Sequence, residues 1–331
     1  MTGPSPLPWH DAPWARIHAA RAAGRMPHAI LLTGPQGLGK VKFAHRLAAA
    51  LVCTGPDPQG EACGRCAACR QRQAGSHPDL HVVQPAEPGK MIKIDAIREL
   101  GARSVLAAQE QGFRVFLIAP AEAMNRAAAN ALLKTLEEPA SRVVLILVSS
   151  HADRLPATIR SRCQLLKFAL PARETVGDWL AGQVADAPTD TLWAISGGAP
   201  LRARQAGEEG WLEADARLLG ELASLRARQV NPLHIVEEWE KRPLTQLLDG
   251  AKRCLADLLR VGSGWGQGTL FHPSMLEDLQ TLGQGIDLQL LHELYAELLG
   301  LERDLSHNLN TSMLFEHLIN RWLQITRPGG H

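Results

Sequence analysis

The sequence predicts an α/β domain built on a parallel sheet, followed by a region made only of helices. Three observations predict this fold class. Over residues 1–168, short apolar segments alternate with helical patterns, and the stretches between them are long enough for crossover connections between parallel strands. The first apolar segment runs into a glycine-rich loop, Gly34–Lys40, of the kind that binds phosphate at a helix N-terminus. From about residue 209 onward, leucines recur at helical spacing.

Composition narrows the class of protein. Of the 331 residues, 45% are hydrophobic, and the formal net charge is only +1. A globular core is therefore expected, and a basic surface spread over the whole chain for nucleic acid is excluded. No apolar h-region opens the chain and no apolar run approaches the length of a membrane span. We therefore expect a cytoplasmic protein with no membrane partner, in which the six cysteines are thiols or metal ligands.

The strands of the sheet are predicted from the short apolar segments. Residues 29–33 and 143–148 are apolar at nearly every position, as expected for strands covered on both faces. The five predicted strands, in chain order, are 29–33, 80–84, 114–118, 143–148 and 165–168. Helical spacing of apolar residues predicts the connecting helices 14–23, 41–52, 91–106 and 121–138, the last of which is stopped by Pro139.

The glycine-rich loop carries the candidate nucleotide-binding residues. Its pattern is G-x-x-x-x-G-K, in which backbone N–H groups surround a phosphate and the lysine reaches the outer phosphates. The candidate residues are Gly34, Gly37, Gly39 and Lys40. Whether nucleotide still binds is left open, because the backbone cradle and the lysine are present but the usual ligands of the metal ion are not.

Two departures from a working phosphate-loop site predict that ATP is not hydrolysed. Val41 stands where a Ser or Thr hydroxyl normally coordinates Mg²⁺. The third predicted strand ends in Ala119-Pro120, where an active ATPase carries acidic residues. Glu122 comes two residues later and is expected to lie past the site, because the start of a helix would point it elsewhere. The disfavoured alternative is that Glu122 turns back and substitutes for the missing carboxylate.

Four cysteines have the spacing of a metal site. Cys53 lies at the end of a predicted helix, and Cys63, Cys66 and Cys69 follow in overlapping C-x-x-C units. Four thiolates suit tetrahedral Zn²⁺, and a site closed by four protein ligands is structural. We therefore predict a structural zinc module over 53–69. The alternative of four unrelated buried thiols is disfavoured because this spacing is rare by chance.

The remainder of the chain is predicted to be helical. Residues 171–205 indicate short helices with a turn at Gly197–Pro200. An apolar stripe is formed by Leu288, Leu291, Leu294, Leu298, Leu301 and Leu305. Asn308-Leu309-Asn310 is expected to break this helix, and 313–325 to resume it. Such a stripe serves equally well as a helical core or as an oligomer interface, and the sequence does not separate the two.

Several motifs occur together in the order of one family. They are Gly34–Lys40, the four-cysteine set, Ser76–Asp79, Asn130–Pro139 and Ser161–Cys163. In this combination the chain resembles the delta-prime family of clamp-loader subunits of bacterial DNA polymerase III, which are AAA+ proteins. The resemblance is strong over 29–170, weaker over 171–208, and beyond that rests on length and helical character.

The resemblance implies a domain organisation and a set of partners. It implies an AAA+ domain over 1–168 that includes the zinc module, a helical lid over 169–208, and a C-terminal helical collar over 209–331. Collars of this family join five subunits into an open ring. The implied partners are the gamma/tau and delta subunits, with the sliding clamp and primer-template DNA contacted through the complex during DNA replication.

The resemblance also implies a role for one arginine. In such rings the Ser-Arg-Cys motif supplies an arginine finger to the ATP of a neighbouring subunit, and here that residue is Arg162. A planar guanidinium suits this role because it can meet γ-phosphate oxygens bidentately. Active relatives also use a lid arginine to sense nucleotide. Pro200 falls near that position and Arg202 is displaced, so no sensor residue is assigned.

Three functions are considered for this sequence. The favoured one is a non-hydrolysing subunit, not catalytic alone, within a DNA-directed DNA polymerase holoenzyme. The alternative is a self-sufficient clamp-loader ATPase of the gamma/tau type, which Val41 and Ala119-Pro120 disfavour. A zinc-dependent nucleic-acid-binding module is disfavoured by the near-neutral charge and by the lack of interleaved aromatic and basic residues around Cys63–Cys69.

Overall fold

The computed structural model of the protein describes residues 6–87, 89–105, 112–184, 188–304 and 310–326. Contacts divide the chain into two units, Met1–Val176 and Gly177–His331. The first unit carries the sheet, and the described part of the second is built from helices and turns. The predicted division into three domains, with a separate lid over 169–208, stays a prediction.

The five predicted strands are confirmed and form one parallel sheet within the described residues. They are β1 (Ala29–Thr33), β2 (Leu80–Val83), β3 (Arg114–Ile118), β4 (Val143–Ser149) and β5 (Gln164–Lys167). Their order across the sheet is β2-β3-β4-β1-β5. At the centre, Ile30 of β1 lies opposite Ile146 of β4, and Thr33 lies opposite Ser149. Because parallel strands end at the same edge, the loops that follow β1, β3 and β4 lie side by side.

Helices cover this sheet. They are α1 (Asp11–Ala22), α2 (Lys40–Val52), α3 (Ala67–Gln73), α4 (Ile94–Ser104), α5 (Arg126–Glu137) and α6 (Ala157–Arg160). Every residue of β1, β3 and β4 is buried. A fully buried leucine or isoleucine contributes about 1.5–3 kcal/mol relative to an exposed one. The apolar strands therefore fix the frame from which the functional loops project.

Two helices begin later than predicted. The helix expected from 91 begins at Ile94, and its expected end at 106 lies outside the described residues. Ile92 instead forms a parallel bridge with Met124. The helix expected from 121 begins at Arg126, since 121–123 form a separate 3-10 turn. Asn125 then caps the helix, its side-chain oxygen accepting a hydrogen bond from the N–H of Ala128 at 2.8 Å.

The second unit has its own apolar core. Its helices, with α7 spanning the boundary, are α7 (Arg173–Ala181), α8 (Thr189–Ile195), α9 (Pro200–Glu208), α10 (Trp211–Arg226), α11 (Pro232–Glu240), α12 (Leu244–Gly262), α13 (Leu276–Gly283), α14 (Leu288–Asp304) and α15 (Thr311–Ile325). Trp239 and Trp322 are buried in this core together with Leu291, Leu294 and Leu298 of the predicted stripe. The stripe is thus a core for these three leucines, whereas Leu288 is exposed. Leu305 and the predicted break at 308–309 lie outside the described residues.

The second unit also buries a cluster of charges. Both ring nitrogens of His272 face carboxylates, Nδ1 lying 2.9 Å from Asp257 Oδ2 and Nε2 lying 3.0 Å from Asp215 Oδ2. Arg253 donates to the same Asp215 at 2.7 Å, and Arg260 lies 3.1 Å from Asp257. Each buried charge therefore faces an opposite one, as burial requires. None of the helices in the described ranges is both long and apolar enough to cross a membrane.

Candidate functional site

The phosphate loop connects the end of β1 to the start of α2. Gly34, Gly37 and Gly39 have φ angles of 136°, 78° and 78°, a backbone region that only glycine adopts freely. A Cβ on Gly34 would also lie 2.2 Å from the carbonyl oxygen of Phe168, and one on Gly39 would lie 2.6 Å from Cδ1 of Leu7. The packing of the loop therefore requires these glycines whether or not a phosphate is bound.

The amino group of Lys40 is engaged by its own chain. Its Nζ donates to the carbonyl oxygens of Gly34 at 2.7 Å and Pro35 at 2.6 Å, and to the hydroxyl of Ser150 at 3.0 Å. An ammonium group has three N–H donors, so none is left for a phosphate in this conformation. Lys40 is only 5% exposed. Burial lowers the pKa of Lys40 to about 8, although the charge of Glu122 opposes this shift.

The prediction that Glu122 lies past this site is wrong. Its Oε1 accepts a hydrogen bond from the backbone N–H of Ser150 at 2.9 Å, and the hydroxyl of the same Ser150 accepts from Lys40. The physical reason is the 3-10 turn at 121–123, which replaces the expected first turn of a long helix. The second oxygen, Oε2, is buried without a hydrogen-bond partner. One carboxylate therefore stands at the edge of the sheet beside the phosphate loop.

The donor set at this edge does not fit an ordinary magnesium–nucleotide site. The side chain of Val41 is 46% exposed and has no oxygen to offer. β3 ends at Ile118, and the following Ala119-Pro120 provides no acidic side chain. Glu122 would be a single carboxylate ligand, and one of its oxygens already accepts from Ser150. Mg²⁺ in phosphoryl-transfer sites is held by a hydroxyl and carboxylates together with the phosphates.

Arg162 lies elsewhere on the first unit, in the turn after α6. Its backbone N–H donates to the carbonyl oxygen of Ile159 at 3.1 Å, and the side chain of Ile159 is fully buried. The guanidinium group is held by two contacts: Nη1 donates to the carbonyl oxygen of Thr158 at 3.0 Å, and Nη2 lies 2.6 Å from Oε1 of Glu137. The side chain is 36% exposed. It is therefore tethered at the surface and not enclosed within its own subunit.

Arg202, near the predicted turn at Gly197–Pro200, contacts residues of the second unit. Pro200 is the first residue of α9. The guanidinium of Arg202 lies 5.3 Å from the ring centroid of Trp211 and 3.7 Å from Oδ2 of Asp249.

The four predicted metal ligands lie together. The sulfur atoms of Cys53, Cys63, Cys66 and Cys69 all lie within 4.8 Å of one another. The Cys53 sulfur is 3.6 Å from that of Cys63 and 3.9 Å from that of Cys66. Sulfurs bound 2.3 Å from a tetrahedral Zn²⁺ are about 3.8 Å apart. The cluster therefore has the size and the donor chemistry of a structural zinc site, with no position left for water or substrate.

The thiols of this cluster differ in acidity. Burial raises the pKa of Cys66, but hydrogen bonds from Thr54 and from the backbone N–H of Cys69 outweigh burial and lower it to about 6. Backbone N–H groups of the turn lower the pKa of Cys63. Burial raises the pKa of Cys53, and raises that of Cys69 to about 12. A divalent metal ion would hold all four as thiolates, because its charge offsets their mutual repulsion.

The loop between Cys53 and Cys63 is anchored on the first two helices. Trp14 of α1 donates from Nε1 to the carbonyl oxygen of Gln59 at 3.0 Å. Arg46 of α2 donates from Nε to Oε1 of Glu61 at 2.8 Å, and its guanidinium lies 4.0 Å from the centroid of the Trp14 ring. The loop that carries the cysteines therefore packs against α1 and α2.

Sequence reasoning missed two groups that act on the candidate residues. Trp9 and His10 form a 3-10 turn against the phosphate loop, and their ring nitrogens lie 3.0 Å and 2.8 Å from the carbonyl oxygen of Leu38. Glu137 lies in the family motif at 130–139, but no sequence pattern indicates that it contacts Arg162. In both cases the partners are distant in sequence, so no local pattern could have revealed them.

Comparison with known proteins places the chain in a family. Residues 9–172 match the family model described as "DNA polymerase III, delta subunit", and residues 209–324 match "DNA polymerase III, delta subunit, C terminal". These two segments cover most of the sheet-bearing unit and most of the helical unit.

Two relatives that are themselves delta' subunits agree with this assignment. DNA polymerase III subunit delta' of Pseudomonas aeruginosa is 36% identical over 327 residues, which is 97% of this chain and 98% of the relative. The subunit delta' of Haemophilus influenzae is 33% identical over 256 residues, 76% of this chain and 77% of the relative. A solved DNA polymerase III gamma subunit-related protein of Thermotoga maritima is 18% identical, with a TM-score of 0.43, and the match covers 94% of this chain and 99% of that one. From the extent of the match to the Pseudomonas relative, the chain belongs to the family of DNA polymerase III delta' subunits.

Proposed function

We propose that this chain is a non-hydrolysing subunit of the DNA polymerase III clamp loader and supplies Arg162 to the ATP site of a neighbouring subunit. Its partners are the gamma/tau and delta subunits in a hetero-oligomeric ring. Through that ring it takes part in loading the sliding clamp onto primer-template DNA in the cytoplasm. Membership of the delta' family supports the assembly, and the geometry of the two sites supports the division of labour.

One contrast carries the proposal. Lys40, which a phosphate-loop enzyme needs for its own nucleotide, is 5% exposed and donates three hydrogen bonds within the chain. Arg162, which the resemblance assigns to a neighbour's nucleotide, has a side chain 36% exposed at the surface. Lys40, which would bind this chain's own nucleotide, already makes three hydrogen bonds within the chain. Arg162, which would act on a neighbouring subunit's nucleotide, is accessible.

The chemistry of Arg162 suits this role. A guanidinium has five N–H donors in a fixed plane, and two contacts to Thr158 and Glu137 leave donors to spare. Positive charge placed against the γ-phosphate oxygens stabilises the charge that develops on them during transfer, and an arginine finger contributes about 10³–10⁵ in rate. The turn that carries Arg162 is fixed by buried Ile159, so the charge is presented from a rigid position.

The four cysteines would hold Zn²⁺ as a structural ion. When bound, the ion supplies cross-linking of the loop at 53–69 and no reaction chemistry, since all four coordination positions are protein sulfurs. Neighbouring side chains provide the other contacts that anchor this loop. Trp14 and Arg46 hold the loop on α1 and α2 through Gln59 and Glu61.

The test is the DNA-stimulated ATPase of the reconstituted loader carrying Arg162→Ala. The rate of ATP hydrolysis at the neighbouring site should fall by about 10³-fold or more. The total ATPase rate of the complex should therefore fall by at least the fraction that this site contributes. Arg160→Ala is the matched control, because Arg160 is the last residue of α6, two positions before Arg162, and is exposed. The variant complex should assemble normally by size-exclusion chromatography. An ATPase rate equal to that of the wild-type complex would refute the finger role.

A second candidate, a self-sufficient ATPase of the gamma/tau type, is favoured by one observation. The carboxylate of Glu122 stands beside the phosphate loop, with Oε2 buried and unpartnered. The isolated chain distinguishes the two candidates. ATP turnover by the purified chain that is lost in both Lys40→Ala and Glu122→Gln would support the second candidate, and an absence of turnover would support the first.

A further inference from the structure

We infer that Glu137 is a positioning residue for Arg162: its carboxylate orients the guanidinium at the subunit surface before a neighbouring phosphate arrives. The inference rests on the proposed function of Arg162. It starts from the contact of 2.6 Å between Nη2 of Arg162 and Oε1 of Glu137.

Both residues project from fixed backbone. Glu137 is the last residue of α5, directly after Leu136, which is 2% exposed. Arg162 follows α6, in which Ile159 is fully buried. Leu136 and Ile159 belong to the same hydrophobic core. The distance between the two backbones is therefore set by core packing, and only side-chain torsions are left to be ordered.

The two contacts of Arg162 order those torsions. Glu137 binds one terminal nitrogen and the carbonyl oxygen of Thr158 binds the other. A long arginine side chain loses rotamer freedom when it is fixed at a binding site. Here part of that loss occurs within the free subunit, so less remains to be lost when the neighbour binds. The guanidinium has five donors, so a phosphate can still be met.

The carboxylate of Glu137 can orient the guanidinium of Arg162 and still allow it to bind a phosphate. Its side chain is 50% exposed and that of Arg162 is 36% exposed. An ion pair between exposed groups is screened by water and is weak. A γ-phosphate carries more charge than one carboxylate and lies in a drier interface, so it outcompetes Glu137 for the guanidinium where the two compete. A fully buried carboxylate in the same place would have sequestered the arginine.

The experiment compares substitutions of Glu137 in the reconstituted loader by DNA-stimulated ATPase. For Glu137→Ala we expect kcat to fall about 3- to 10-fold, with the KM for ATP changed less than about twofold, because orientation of the finger acts on the transition state. Glu137→Gln should keep most of the rate, since its amide oxygen still accepts a hydrogen bond. Glu137→Lys should fall below Glu137→Ala, because like charge drives Arg162 away. Glu138→Ala is the matched control, an exposed carboxylate at the adjacent position.

The double variant Glu137→Ala/Arg162→Ala separates positioning from a structural role. If Glu137 acts through Arg162, the double variant should be no slower than Arg162→Ala alone. A further loss in the double variant, a wild-type rate in Glu137→Ala and Glu137→Lys, or a rate above wild type would each overturn the inference. If Arg162→Ala itself has no effect, the proposed function falls and the inference falls with it. If Arg162→Ala is slow and the Glu137 variants are not, only the inference falls.

Discussion

At the scale of single residues, Lys40 connects the ends of three neighbouring strands. Its Nζ reaches the loop after β1 through Gly34 and the residue after β4 through Ser150. The N–H of Ser150 in turn donates to Glu122, which follows β3. These hydrogen bonds connect the segments that follow β1, β3 and β4 at the carboxyl edge of the sheet. A lysine of this motif is ordinarily needed for a ligand, whereas here it also serves the fold.

That role predicts a stability change without nucleotide. Lys40→Met should lower the free energy of unfolding by about 1–3 kcal/mol, because the carbonyl and hydroxyl acceptors of a buried site lose their donor. The same loss should be seen with and without ATP. Urea denaturation of the isolated chain measures it, with exposed Lys42→Met as the control. Wild-type stability that rises with ATP, while that of Lys40→Met does not, would show instead that the lysine binds nucleotide.

His272 is a second residue whose charge matters to the fold. A neutral imidazole can donate from only one nitrogen, whereas both nitrogens of His272 face carboxylates of Asp215 and Asp257. Burial alone would lower the pKa of His272, but the two carboxylates outweigh burial and raise it. The folded state therefore favours the imidazolium form. This stabilisation is complete below the ordinary pKa of about 6.5 and is lost as the pH rises through the higher pKa of the folded state.

Substitution of His272 should therefore cost more at low pH than at high pH. His272→Gln should reduce the free energy of unfolding by a larger amount at pH 6 than at pH 9. Urea denaturation of both proteins at pH 6, 7.5 and 9 gives the difference at each pH. His234→Gln, at a histidine whose side chain is 64% exposed, is the control and should show little change. An equal cost of His272→Gln at all three values would contradict a charged histidine.

At the scale of elements, the strands follow from the sequence more closely than the helix starts. β1 and β4 are buried on both faces, and a strand buried in this way shows as a run of apolar residues. The starts of α4 and α5 depend on the bridge between Ile92 and Met124, two residues distant in sequence. Helical periodicity cannot show such a contact. The predicted start at 121 also passed over Asn125, although an asparagine before an apolar helical run is a recognisable N-cap.

The candidate sites divide in the same way. The phosphate loop and the cysteine cluster were predicted because each is made of residues close together in the chain. Glu122 was misplaced because its position depends on a 3-10 turn and on Ser150, which follows a different strand. The contact of Glu137 with Arg162 joins the end of α5 to the turn after α6 at the surface, and only the three-dimensional structure reveals it.

The zinc module leads to a prediction about metal removal. Metal analysis should find one equivalent of zinc per chain, because four sulfurs form one closed site. Cys66→Ser should lower the zinc content and the hydrogen-exchange protection of 53–69, while α2 stays protected by its burial against the sheet. Cys163→Ser, outside the cluster, should do neither. A metal-free protein with unchanged exchange over 53–69 would rule out a structural zinc ion.

At the scale of the whole molecule, each of the two units contains buried apolar side chains that pack together into a core. The sheet core includes Leu31, and the helical core includes Trp322, whose indole N–H donates to the carbonyl oxygen of Leu222 at 2.9 Å. Each core is built from residues of its own unit. We therefore expect damage to one core to act mainly on the unit that contains it.

This expectation can be tested with one substitution in each unit. Leu31→Ala should cost about 2–5 kcal/mol and Trp322→Ala about 3–5 kcal/mol, as usual for truncation of buried side chains. Hydrogen exchange resolved by peptide should show lost protection in 6–176 for the first and in 177–326 for the second. Equal loss of protection in both units for each variant would show that the chain unfolds as one cooperative body.

Helix α2 has a consequence for oxidative damage. It begins at Lys40, spans 13 residues and is followed at once by Cys53, so its two ends are about 20 Å apart. A peroxide that oxidises Cys53 therefore acts at the C-terminal end of α2, whereas Lys40 lies at its N-terminal end. Gln59 and Glu61, which contact α1 and α2, belong to the loop that Cys53 begins. Oxidation of the sulfur cluster would therefore loosen the loop at 53–69, while the buried helix keeps Lys40 and the phosphate loop in place.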